Sequence, residues 1–181
     1  MVVAFAGRRV DAPNAATVHF PSSNTETVRR RIQSQLVSVA ARAIVSSAAC
    51  GADLLALNAA GELGMRRVIV LPWDRDRFRA TSVVDRGGEW GPVFDRVLDD
   101  VSAHGDLRIL GYEQGDDAAY AATNESILDA AQDLARETNT PADVAAIVAW
   151  NRESRGPTDL TEHFMSAARG RGMRVIEVGT V

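Results

Sequence analysis

Six short apolar, β-branched runs alternate strictly with longer stretches of helical period, and this alternation limits the folds open to the chain more than any other feature. The runs Val2–Ala6, Ala43–Ser47, Arg67–Leu71, Leu107–Leu110, Val144–Trp150 and Arg174–Val178 read as strands. Between them, amphipathic stretches fall at roughly Thr25–Arg42, Ala52–Leu63, Pro92–His104, Ala118–Glu137 and Leu160–Arg169. Tyr120, Asn124, Ile127, Leu128, Ala131 and Leu134 recur at three- and four-residue steps, which makes one continuous helical face. Strands that alternate with helices require right-handed crossovers and a parallel sheet covered on both sides. The expected fold is α/β: a Rossmann-like three-layer sandwich, with a mostly parallel sheet of about six strands and helices on both faces.

Local signals agree with these boundaries. Ser23 and Asn24, with Glu26 close behind, suit the start of the first helix. Gly64 and Gly172 stand where a left-handed residue ends the second and last helices. Pro141 and the segment 137–140 punctuate the end of the long helix. Arg75–Gly91, dense in charge and glycine, reads as an irregular insertion over one end of the sheet. No repeat or long linker divides the chain, and its 181 residues are read as one domain, 1–181.

Composition narrows the chemistry. All 20 basic residues are arginine, so a Schiff-base lysine, a phosphate-binding lysine and a lysine general base are excluded. Anions must be met by guanidinium groups, backbone N–H groups or helix N-termini. A net charge of −4, with no basic run beyond Arg29-Arg30-Arg31, disfavours nucleic-acid polymers and anionic membranes as partners. A single cysteine, no leader and no long apolar span point to the cytoplasm. His19, His104 and His163 lie far apart, without cysteine or carboxylate at ligand spacing, so no metal site is expected.

In open parallel sheets, ligands sit beyond the carboxyl ends of the strands. The loops there begin Gly7-Arg8-Arg9, Ala48 to Asp53, Pro72-Trp73-Asp74, Gly111-Tyr112-Glu113 and Asn151 to Thr158. Cys50–Asp53 and Arg155–Thr158 carry the small residues that let backbone amides approach a phosphate. Neither is a dinucleotide fingerprint or a P-loop. Each candidate has a plainer reading beside it. Gly51 permits a tight turn, Asp53 complements a helix dipole, Arg8 makes an ion pair, Thr158 caps a helix with Asp159 in its first turn, and Asn124 is a buried amide held by backbone. Cys50 at a helix start is a lowered-pKa thiol or a small buried residue. Trp73, Trp90 and Trp150 pack the core, or one of them stacks on a base.

Taken in order, Gly7-Arg8, Ser46 to Leu57, Leu71-Pro72, Tyr120 with Asn124, and Gly156-Pro157-Thr158-Asp159 resemble the SLOG superfamily. This group of Rossmann-like nucleotide-binding domains includes the Lonely Guy, or lysine decarboxylase-like, phosphoribohydrolases. The stretch Ala48–Leu57 with Val70–Arg75 and Phe78–Val84 looks most like the SLOG domains of multidomain bacterial signalling proteins. Catalytic members carry Pro-Gly-Gly-x-Gly-Thr-x-x-Glu, where this chain has Arg155-Gly156-Pro157-Thr158-Asp159-Leu160-Thr161-Glu162. Glu162 is displaced by one residue, about 100° around a helix, and Pro157 removes one amide donor.

The resemblance therefore implies a binding module for a nucleotide or nucleotide-derived signal, ADP-ribose-like or cyclic, with no cofactor. Gly51, Ala52 and Asp53 would form one rim, with Gly7 and Cys50 also at the ligand. Arg155, Gly156 and Thr158 would cradle phosphate, Arg8 would neutralise it, and Tyr120 and Asn124 would orient ribose or base. The alternatives are a nucleotide N-glycosidase or phosphoribohydrolase using Glu162 or Asp159, and a structural interaction domain. Relatives suggest a homodimer or fusion to further modules.

Overall fold

The computed structural model describes residues 1–113, 117–137 and 143–181. β1 (Val2–Gly7) runs at the centre of a six-stranded sheet with β2 (Ala43–Ser46), β3 (Arg66–Leu71), β4 (Leu107–Ile109), β5 (Val144–Trp150) and β6 (Arg174–Gly179). The order is β4-β3-β2-β1-β5-β6, and every pairing is parallel. The chain builds outward from β1 to β4, then returns to the other side of β1 for β5. That reversal makes a switch point, where the loops leaving β1 and β5 diverge and open a crevice.

Parity along the strands explains the two covered faces. Val3 and Phe5 of β1, with Ile44, Ile69 and Ile147, pack against α1 (Thr25–Ser38), α2 (Ala52–Glu62) and α4 (Trp90–Ala103). Val2 and Ala4, with Val45, Val70 and Val148, pack against α5 (Asp117–Glu137) and α6 (Leu160–Gly170). Strands apolar at both parities can be stable only when both faces leave water. The α/β, Rossmann-like reading holds.

The segment 75–91 corrects the expectation of an irregular insertion. It contains α3 (Arg75–Ser82), begun by Asp74, whose carboxylate accepts from the Arg77 N–H. Phe78 docks this helix, with its ring centroid 6.1 Å from Phe94 and 6.5 Å from Trp73. Arginines on its outer side reach α4: Arg79 bonds Asp95 at 2.9 Å and Arg75 bonds Asp99 at 2.5 Å. Charge on that side hides the helical period, since one buried aromatic supplies most of its apolar anchor. The first helix ends at Ser38, short of Arg42, and Asn24 spends its side chain on the Thr180 carbonyl rather than on a cap. Gly64 and Gly172 have φ of 70° and 73°, as their positions after the helices require. Pro141 and residues 138–140 lie outside the described residues.

Candidate ligand-binding site

A cavity of about 390 Å³ opens at the carboxyl ends of β1 and β2, beside the β5–α6 loop. Gly7, Ser47 and Asp53 form part of its wall, α3 adds Phe78 and Ser82, and α5 adds Tyr120, Thr123, Asn124 and Ile127. Arg9, Asp11 and His19 enter from the β1–α1 loop, Arg86 from the turn after α3, and Arg155 from the β5–α6 loop. The size falls within the roughly 300–1,000 Å³ of small-molecule sites, and apolar walls with a few converging polar groups are their usual make-up.

Close backbone approach builds one side. A Cβ on Gly7 would stand 2.5 Å from the Ala52 Cβ, so glycine lets α2 press against the end of β1. Gly51 has φ of 100°, and a Cβ there would meet the Val10 nitrogen at 2.7 Å. The amide of Ala52 donates to the Arg8 carbonyl at 3.1 Å. Gly51, Ala52 and Cys50 are buried and none of them lines the cavity, which corrects their assignment to the ligand. Their amides and small side chains lock the β1 loop to α2. The Cys50 thiol receives an Arg9 N–H at 3.4 Å, and burial pushes its pKa up against that pull, so an activated thiolate is not what this position holds.

Asp53 differs from its neighbours. Its side chain lines the cavity and the residue is 6% exposed, yet Oδ1 has no hydrogen-bond partner among the described residues. Oδ2 accepts a long bond, 3.4 Å, from the Ala49 amide. Burial pushes its pKa up to about 7, against the opposing pull of the Ala49 and Gly7 amides and the charge of Arg9.

On the opposite side, the structure overturns the roles expected of Arg8 and Asp159. Arg8 is 1% exposed and sits outside the cavity wall. Its fork closes on Asp159 with two contacts of 2.7 Å, reaches the Glu153 carbonyl at 2.6 Å, and lies 5.9 Å from the Trp150 ring. Asp159 is the N-cap of α6, accepting from the Thr161 and Glu162 amides, and it also takes the Arg155 amide at 2.8 Å. Burial raises its pKa, but the Arg8 guanidinium and the Arg155 amide outweigh that and bring it down to about 2. A carboxylate so held stays ionised and cannot shuttle protons near neutrality. The anion position at the start of α6 is filled from within, by the chain's own carboxylate.

Thr158 therefore is not the cap, and with Gly156 it lies on the exposed turn before α6, away from the cavity. The Gly156 amide is taken by the Ser154 hydroxyl at 3.1 Å. Glu162 bonds Ser154 and does not line the cavity, which removes it as an acid or base there. Asn124 does line it, while its amide donates to the Leu160 carbonyl at 2.8 Å and ties α5 to α6. Tyr120 is set edge-on to Trp73 at 5.0 Å, with its hydroxyl 3.3 Å from Ser82 Oγ. Trp73 packs in the core, 2% exposed. Of the residues expected at a site, Gly7, Asp53, Tyr120, Asn124 and Arg155 converge on the cavity.

The cavity also takes in Arg9, Arg86, Ser82 and His19, which motif and spacing do not single out. A signal for Arg9 exists in strand parity: Arg8 continues the even positions that face α6, and Arg9 the odd positions that face α2. Ser82 and Arg86 sit in a segment whose sequence shows no clear period, so nothing local marks them. Among the described residues, no group of His, Cys, Asp and Glu could hold a metal ion, and no helix is long and apolar enough to cross a membrane.

No family model and no curated protein matches the chain. Among solved structures, DNA processing protein A (DprA) from Streptococcus pneumoniae aligns at 16% identity with a TM-score of 0.42. The alignment covers 96% of this chain, which spans 57% of that protein's length.

Proposed function

We propose that the chain binds a nucleotide-like small molecule in the cavity at the β1–β5 switch point, as a distant member of the SLOG superfamily. The observation that carries this reading is the convergence of Asp53, Tyr120 and Asn124 with Arg9, Arg86 and Arg155 around one cavity of about 390 Å³. Arg9 and Arg86 both pair with Asp85, which leaves Arg155 as the guanidinium of the wall most open to an anionic ligand. With the start of α6 already holding Asp159, a ligand phosphate belongs with Arg155 instead. Arg155 is only loosely tied, 3.8 Å from a carboxylate that Arg8 already holds. A sensing role follows if the ligand favours one arrangement of the β1–α1 loop or of an assembly over another.

An N-glycosidase is the second reading, favoured by the near-neutral carboxyl of Asp53 in the cavity wall. In that case Asp53, rather than Glu162 or Asp159, carries the acid–base step. Incubation with AMP and related nucleotides, following melting temperature and free base together, separates the two. A ligand-dependent rise in Tm without base release is expected. Base release that disappears in Asp53→Asn would establish the enzyme instead, and no response in either assay would end both readings.

A further inference from the structure

Four buried side-chain atoms lack a hydrogen-bond partner among the described residues: Arg9 Nε, Ser46 Oγ, Asp53 Oδ1 and Trp73 Nε1. Two of their side chains, Asp53 and Arg9, line the same cavity. One is an acceptor and the other a donor, and they do not pair with each other, although the charge of Arg9 acts on Asp53. Leaving such atoms unpaired is costly, so a site that does so is shaped for a group that satisfies both. A neutral hydroxyl donates and accepts at once. An exocyclic base amine can only donate, and a cationic amine is disfavoured by the three arginines of the wall.

We propose that Asp53 and Arg9 form a hydroxyl-recognition subsite: a ligand hydroxyl, of the kind a ribose presents in a vicinal pair, donates to Asp53 Oδ1 and accepts from Arg9 Nε. This rests on the nucleotide reading above. A donor on Oδ1 stabilises the carboxylate over the acid, so binding releases a proton from Asp53. Other charged and titratable groups of the cavity are Arg9, Asp11 and His19 on the β1–α1 loop, Arg86 after α3, Tyr120 on α5 and Arg155 before α6. Cys50 and Asp85 both take an N–H of Arg9, and Asp85 also pairs with Arg86. Of these, Arg9 is the one whose charge bears on Asp53, and it favours the ionised form.

Calorimetric titration of the full chain with AMP and with its 2′,3′-dideoxy analogue, in buffers of different ionisation heat, tests the subsite. AMP is expected to release protons on binding near pH 7, and the dideoxy analogue to bind about tenfold to a hundredfold more weakly. In Asp53→Asn both differences shrink. The ratio of wild-type to Asp53→Asn affinity rises by up to about tenfold per pH unit below pH 7 and levels above it. Titration of the ligand phosphate is common to both proteins and cancels in that ratio. Purine riboside monophosphate, lacking the base amine, should bind like AMP. Equal affinity for AMP and the dideoxy analogue, which an ordered water between Asp53 and Arg9 would produce, overturns the subsite and leaves the nucleotide reading standing. So does proton uptake on binding. If no nucleoside mono- or diphosphate binds the wild-type chain, the nucleotide reading falls and the subsite falls with it.

Discussion

Two aspartates stand at helix starts on opposite sides of one crevice, Asp53 in the first turn of α2 and Asp159 at the cap of α6, and they live in opposite conditions. Both are buried. Asp159 is met by a guanidinium fork and three amides, and its pKa lies at about 2. Asp53 has weak amide contacts on one side and a bare oxygen on the other, and its pKa lies at about 7. Burial raises the pKa of both, more so at Asp53, and the fold supplies compensating donors only to Asp159. The saturated aspartate holds the β5–α6 loop in place. The unsaturated one keeps an oxygen that no described residue satisfies.

The hardest blow to this contrast is Asp159→Ala, which strands the Arg8 guanidinium in the interior. A loss of about 3–5 kcal/mol is expected in urea unfolding at pH 7. Asp159 also sets the acid limit, because its folded pKa is depressed. Its contribution is full above about pH 4, and falls away as pH drops toward 2. Asp159→Asn should accordingly show a flatter decline over that window when unfolding is followed by circular dichroism.

At Asp53 the sign reverses. Its carboxyl keeps a proton to about pH 7 when folded and only to about pH 4 when unfolded, so rising pH favours the unfolded chain across that interval. Asp53→Asn should therefore stabilise the chain, by up to about 4 kcal/mol at pH 8, with the gain shrinking toward zero at pH 4. A destabilised variant at pH 8 would mean that the fold does satisfy this carboxylate. Gly51→Ala attacks the joint between the two sides, forcing a side chain into φ of 100° against the Val10 backbone, and should cost about 1–3 kcal/mol. The smallest effect on stability, within about 0.5 kcal/mol, is expected for Arg155→Ala, because its side chain is half exposed. AMP affinity should nevertheless fall about tenfold in that variant, read by thermal shift.

Much of the frame is legible in one dimension. Runs such as Val144–Trp150 are apolar at both parities, and that alone calls for a sheet covered on two faces. The turn at Gly51 and the stop at Gly64 are marked by residues whose positive φ few others tolerate. The helix at 75–82 is hidden, since Phe78 is a lone anchor among charges whose partners lie in α4. Arg8 misleads for a related reason. A guanidinium after a central strand can meet a ligand or a carboxylate from a loop about 150 residues away, and spacing does not distinguish the two.

Period, parity and residue type are local, and they suffice to commit this chain to a Rossmann-like sheet. They also place the loops that can line a crevice, and they require that any anion there be met without a lysine. Which charges remain available is a different matter, settled in three dimensions. Neutralisation depends on which groups from distant loops come within hydrogen-bond reach, and there the fold joins Arg8 to Asp159 while leaving Asp53 and Arg9 each with an unpaired atom beside the cavity.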